Sequence, residues 1–173
     1  MAEEQVILVD ADDREIGTLG KLAAHENGGV RHRAFSVFIV DPQGRWLLQR
    51  RAAGKYHFPG LWTNACCSHP RPGEATADAA HRRLREELGF DCPLTERFQF
   101  EYKATSAAEG LTEHELDHVF TGTWTGPVAP DPEEVAATRW VAPAALETEV
   151  RAQPENFTPW FKIALERVRD VLE

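Results

Sequence analysis

The segment from Ala75 to Leu88 is the strongest constraint on the fold. Ala80, Leu84 and Leu88 recur at helical spacing and Gly89 follows as a stop, so the pattern predicts an amphipathic helix. Around it the periodicity changes. "AFSVFIVD" and "RWLLQRR" are apolar runs joined by "PQG", a hairpin signal. "FQFEYKA" and "HELDHVFTGTW" alternate as strands do, and "VILVD" and "ATRWVA" are shorter strand candidates. "DADDREIG" predicts a turn, "TLGKLAAH" the start of a helical turn, and "ENGGVRHR" and "AAGKYHFPGLW" loops. "NFTPWFKIALERVRDVLE" predicts a terminal amphipathic helix. Strands around a central helix, with a second helix at the end, point to a mixed α/β or α+β sandwich rather than repeated parallel crossovers.

Composition narrows the class of function. A chain of 173 residues fits one domain with a real core. A net charge of -9 argues against a general nucleic-acid surface, so an anionic ligand must be met by a local basic cluster. No run of about eighteen apolar residues predicts a membrane span. The acidic start "MAEEQVILVD" is not that of a signal peptide. Cys66, Cys67 and Cys92 are odd in number and two are adjacent, which disfavours a disulfide framework and fits a reducing, cytoplasmic compartment.

Two groups of residues carry candidate chemistry. Arg82, Glu86 and Glu87 sit within little more than a turn of the predicted helix. Such carboxylates can hold a hard divalent ion that bridges to phosphate, and the same run also describes a solvated face of Arg–Glu pairs. The second group is His25, His32, His69, Glu113 and Glu115. His25 and His32 flank a loop built on Gly28 and Gly29, and Glu113 and Glu115 share one face of any strand that carries them. Three imidazoles and two carboxylates suit a divalent metal. Spacing alone favours five unrelated surface residues, because His25 and His32 lie far from Glu113 in the sequence. His57, His81, His114 and His118 lack a comparable pattern, and His114 is expected on the opposite face from its neighbours. Lys21, Arg51, Lys55 and Arg83 lie beside the same loops.

The segment from Ser68 to Phe90 resembles the Nudix box, in which Gly, five residues, Glu and seven residues precede Arg-Glu-U-x-Glu-Glu-x-Gly-U, U being bulky and apolar. Glu74, Arg82, Leu84, Glu86, Glu87, Gly89 and Phe90 match it. Ser68 replaces the opening Gly, and Arg83 replaces the Glu after the box Arg. In the hydrolases that Glu helps bind metal for attack by water. A cation there removes a ligand and adds a phosphate contact.

With "GTLGKLAAH", "RHRAFSVFI", "LLQRRA", "FPGLWTNACCSHP", "EYKA", "EHELDHVF" and "FTPWF", nearly the whole chain resembles the type I isopentenyl-diphosphate delta-isomerases of the Nudix superfamily. The resemblance implies one Nudix-type α/β/α sandwich with a mixed sheet, extended at its N-terminus (about 1–30) and C-terminus (about 143–173). It implies Cys67 as the catalytic thiol, Glu115 as the catalytic carboxylate and Tyr102 beside it. His25, His32, His69, Glu113 and Glu115 become ligands of a protein-bound metal, Mn2+ or Mg2+ with Zn2+ as an alternative. Glu87 holds a Mg2+ carried in by the diphosphate, Lys21, Arg51, Lys55 and Arg83 contact that diphosphate, and Trp160 lies over the carbon skeleton. The implied partner is a small isoprenoid diphosphate, with no nucleic acid or membrane, bound by a monomer or weak homodimer.

The implied reaction moves a double bond by one position. It needs an acid on one face of the alkene and a base on the other. The expected pair is Glu115, directly or through Tyr102, as proton donor and Cys67 thiolate as acceptor, the roles exchanging with direction. Cys66, next along the chain, is expected to point into the core. Trp62, Phe58 and Trp160 are candidates for an apolar cover. A Nudix pyrophosphohydrolase and a non-catalytic ligand-binding module are the competing readings.

Overall fold

The computed structural model describes residues 2–173. Strand β3 (His32–Val40) is its organising element. One edge pairs in parallel with β8 (Leu111–Thr123) from His32↔Glu115 to Val40↔Thr123. The other edge is shared by three antiparallel partners in succession. These are β1 (Gln5–Val9) at Leu8↔His32, β6 (Cys66–Ser68) over Phe35 to Val37, and β4 (Trp46–Arg51) at Val40↔Trp46. Strand β7 (Thr95–Ser106) extends the sheet beyond β8, and β9 (Val135–Val141) extends it beyond β4. A two-residue strand, β5 (Trp62–Thr63), also pairs with β4.

Alternation along β3 separates two cores. Phe35, Val37 and Ile39 pack with Cys66 under α2 (Thr76–Leu88), whose Ala80, Leu84 and Leu88 are fully buried as their spacing predicts. Gly89 ends that helix at φ 72, a backbone that side chains disfavour, and a Cβ there would meet Ala129 O at 2.8 Å. On the other face Phe38, Leu48 and Val119 pack against Leu146 of α3 (Pro143–Ala152) and Trp160, Phe161 and Val168 of α4 (Pro159–Leu172). The layers are helix, mixed sheet and helix.

Three departures from the sequence reading have local causes. "DADDREIG" is only partly a turn: Glu15–Gly20 form β2, paired antiparallel to β1. Asp10 Oδ1 accepts from the main-chain N–H of Asp12 and Arg14, both at 2.9 Å, which closes the hairpin. Most of β2 is unburied, Ile16 being 66% exposed, so it lacks the alternation that marks a strand. Helix α1 (Lys21–His25) follows directly. Helix α3 escaped detection because Leu146 is its one buried residue. The terminal helix starts late, with Pro159 in its first turn, and Phe157 before it bridges to Trp62.

Candidate active site

The five candidate metal donors converge. His25 ends α1, His32 opens β3, His69 follows β6, and Glu113 and Glu115 point to one face of β8. One donor atom from each lies within 4.8 Å of every other. The Gly28–Gly29 loop folds back as its composition suggests, leaving the His25 and His32 rings 4.8 Å apart. Gly29 has φ 75, and a Cβ on it would meet Thr112 O at 2.9 Å. No larger residue lets the loop approach β8 so closely.

The donor chemistry tests whether a cation fits. His25 Nδ1 lies 2.6 Å from Lys21 O and His32 Nδ1 lies 2.7 Å from Val30 O. Carbonyl oxygens only accept, so both rings carry a proton on Nδ1, and in the neutral form that ligates a metal each turns an Nε2 lone pair inward. The inward Nε2 of His25 is 3.0 Å from Glu113 Oε2. That of His32 is 3.2 Å from His69 Nε2 and 3.3 Å from Glu115 Oε1. Neutral rings and ionised carboxylates aimed at one another need positive charge between them, which protons can supply pair by pair and one dication can supply to all five donors. Burial and the neighbouring Glu115 carboxylate push Glu113 up to about 7. Burial raises Glu115 too, but hydrogen bonds with Glu113, His32 and His69 outweigh it and hold Glu115 well below the usual range.

Beside this cluster lie the groups that could move a proton. Tyr102 faces Glu115 across the β7–β8 pair, and its hydroxyl donates to Glu115 Oε2 at 2.6 Å. Burial, reinforced by the Glu115 charge, keeps the phenol protonated. Cys67 sits on β6 opposite Ser36 and lines the same cleft as Tyr102, Glu115 and Trp160. Cys66 points the other way, into the α2 core, as strand alternation requires. Burial pushes the Cys67 thiol up to about 12, against the pull of the Arg51 guanidinium, whose Nη1 is 3.9 Å from the sulfur.

The four basic residues line the same cleft. Three of them are held by carboxylates: Lys21 by Glu4 at 2.8 Å, Lys55 by Glu134, and Arg83 by Glu86 and Glu87 at 2.8 and 2.6 Å. Arg83 Nε is buried with no partner. Arg51 makes no salt bridge among the described residues; it donates to the carbonyls of Phe58 and His57 and stacks 5.4 Å from the Trp160 ring centroid. Glu87 stands apart from the five donors. Its oxygens are taken by Arg83 and, at 2.8 Å, by Gln49 Nε2. Phe58, in the left-handed region at φ 47, meets Trp160 edge-on at 5.7 Å.

Three residues that the sequence reading left without a role belong here. His57 contacts Glu113 and stacks on His25 at 5.2 Å. Asp117 lines the cleft and accepts from Ser36 Oγ at 2.7 Å, while its other oxygen is buried without a partner. Burial and the charge on Glu115 push Asp117 well above the carboxylate range. Its position two residues beyond Glu115 on the same strand was the available signal. Asn64, fully buried, accepts from Trp160 Nε1 at 3.2 Å and donates to the carbonyls of Val37 and Cys66 at 3.1 and 2.7 Å. His114 lies on the outer face, paired with Glu101, as expected.

Residues 30–161 match the model of the NUDIX domain. The chain is 52% identical over 166 residues to isopentenyl-diphosphate Delta-isomerase 2 of Aromatoleum aromaticum, covering 96% of this chain and 87% of that protein. It is 48% identical to the isopentenyl-diphosphate Delta-isomerase of Halorhodospira halophila, over 92% and 91% of the two chains. Among solved structures it resembles a Deinococcus radiodurans protein with TM-score 0.78 and 20% identity, over 95% and 98% of the two chains. It also resembles the MutT protein of Methanosarcina mazei with TM-score 0.68 and 19% identity, over 83% and 96%.

Proposed function

Because this chain belongs to the isopentenyl-diphosphate Delta-isomerase family of NUDIX-domain proteins, we propose that Cys67 and Glu115 are the proton-transfer pair of its reaction. The chain is an enzyme that interconverts isopentenyl and dimethylallyl diphosphate. The observation that carries the assignment is the meeting of Cys67, the Tyr102–Glu115 pair and four cations in one cleft.

The alkene of isopentenyl diphosphate gains a proton at its terminal carbon, leaving a tertiary cation-like centre. It then loses one from the carbon two bonds away. The protein gives one proton and takes one, so one member of the Cys67/Glu115 pair ends protonated and the other not. Exchange with solvent resets them. With Glu115, directly or through Tyr102, as donor, Cys67 thiolate is the acceptor, and the reverse reaction begins from thiol and carboxylate. Burial and hydrogen bonding favour the thiol–carboxylate form in the structure, the form from which the reverse direction starts.

The His25, His32, His69, Glu113 and Glu115 set would hold a divalent cation, Mn2+, Mg2+ or Zn2+ by its donor chemistry. That charge, when bound, orients Glu115 and tunes its acidity. Lys21, Arg51, Lys55 and Arg83 hold the diphosphate, with Lys21, Lys55 and Arg83 exchanging their carboxylate partners for phosphate oxygens. Arg83 turning to phosphate frees Glu87 for a Mg2+ carried by the substrate. The ring of Trp160 stabilises the cationic centre by about 0.5–2 kcal/mol. Phe58 and Trp160 keep water from quenching it. Binding energy at the uncleaved diphosphate fixes the alkene between acid and base.

The test is incubation with isopentenyl diphosphate and divalent metal in D2O, followed by NMR. Deuterium entering the carbon skeleton with the diphosphate intact is the expected result. Release of phosphate without exchange would sink it. Cys67→Ala is expected to lower turnover about 100- to 10,000-fold. A Cys67→Ala enzyme with full rate would remove Cys67 from the mechanism and leave the function in place.

A further inference from the structure

The loop between β4 and β5 brings a fourth imidazole against the metal donors. His57 is 6% exposed, and its ring lies parallel to that of His25, 5.2 Å away at 21°. Its Nε2 contacts Glu113 Oε1, while Glu113 Oε2 faces His25. Arg51 Nη2 also faces Nε2, at 3.5 Å, but the carboxylate is nearer and only accepts, so Nε2 carries the hydrogen and His57 approaches the oxygen that His25 does not face. The backbone of the same residue faces the diphosphate side, where its carbonyl accepts from Arg51 Nη2 at 3.1 Å.

We propose that His57 is a positioning residue that holds one oxygen of Glu113 so that the other is presented to the metal, and ties this half of the site to Arg51. Metal-binding groups need such outer partners, because a free carboxylate rotates and can swap oxygens. His25 and His32 are fixed by main-chain carbonyls, and Glu115 by Tyr102. For Glu113, His57 fills that place. It stands on the loop that also carries Lys55, so filling of the metal site and the posture of the diphosphate-binding loop are linked. The inference rests on reading the His/Glu set as a metal site, and is independent of which reaction the site performs.

The experiment is Mn2+ titration of the full chain without diphosphate, by calorimetry and by the EPR signal of free Mn2+. His57→Phe keeps the ring and its stack and loses the N–H. It is expected to weaken Mn2+ binding about 10- to 100-fold with an unchanged circular dichroism spectrum. His57→Gln keeps a donor and is expected to restore affinity to within about threefold of the original chain. In a Glu113→Gln background, His57→Phe should cost nothing more. Equal Mn2+ affinity for the original chain and a folded His57→Phe overturns the proposal. If His57→Phe does not fold, a tenfold loss in His57→Gln overturns it instead. A chain that binds Mn2+ but does not isomerise defeats the proposed function and leaves this inference standing.

Discussion

Asn64 shows how much one buried side chain can hold in place. Its amide clamps the carbonyls of Val37 and Cys66, and its oxygen receives the Trp160 indole and the Thr63 hydroxyl. Replacement by Leu of similar size leaves these groups unpaired, at about 1–3 kcal/mol each for a buried donor or acceptor. Asn64→Leu is therefore expected to lower stability by at least about 2 kcal/mol in urea denaturation. Turnover should fall as well, because the Trp160 ring is no longer aimed. In a Trp160→Phe background, which has no indole N–H, the turnover loss should shrink; an undiminished loss would mean that Asn64 does not act through Trp160. Legibility at this scale was uneven. Cys67, His69 and the Glu113/Glu115 pair stand in short motifs whose strand periodicity sets their direction. His57 and Asn64 gain their roles from which elements meet, and nothing in their own neighbours in sequence records that, whereas Asp117 carries the signal of standing two residues beyond Glu115 on one strand.

The Gly28–Gly29 loop is the element on which the metal donors depend. It returns the chain from α1 to β3 tightly enough to bring His25 to His32, and Gly29 slides over Thr112 to do so. Gly29→Ala adds a methyl in the left-handed region and against a backbone oxygen, so the loop must lift from β8. The expected outcome is a loss of about 1–3 kcal/mol in stability and weaker Mn2+ binding, read by thermal melting and calorimetry. Gly28→Ala also carries a positive φ but meets open space, so the difference between the two variants isolates the close approach. The central helix and the β3–β4 hairpin were legible because each buries one periodic face. β2 and α3 were not, because a mostly exposed strand and a helix with one buried residue leave no period to find.

Across the whole molecule, the response to pH follows from how its carboxylates are held. Hydrogen bonds from Arg82 keep Glu74 below its ordinary value of 4.5, and hydrogen bonds with His114 and Arg31 do the same for Glu101. A folded pKa lowered in this way contributes stability above the unfolded value, and that stability is lost as pH falls through the folded value. Melting temperature is expected to drop as pH is lowered below about 4.5. Glu74→Gln should melt below the original chain at about pH 7, and the two curves should converge in acid. Parallel curves would show that the Glu74–Arg82 pair adds nothing by charge. Glu113 and Asp117 are displaced upward, so proton uptake there costs the folded state nothing in the same range.

The parallel pairing of β3 with β8 has a consequence for how the chain is made. β1, β4 and β6 all lie before β8 in the sequence and can settle beside β3 as they emerge. The edge from His32 to Val40 that belongs to β8 stays bare until Thr123 has left the ribosome. An apolar strand with an open edge is a template for the wrong neighbour. The long interval before its partner arrives makes the nascent half-sheet the aggregation-exposed stage of synthesis. Glu113 and Glu115 arrive on the strand that closes that edge, so the metal donors are completed in the same event that ends the exposure.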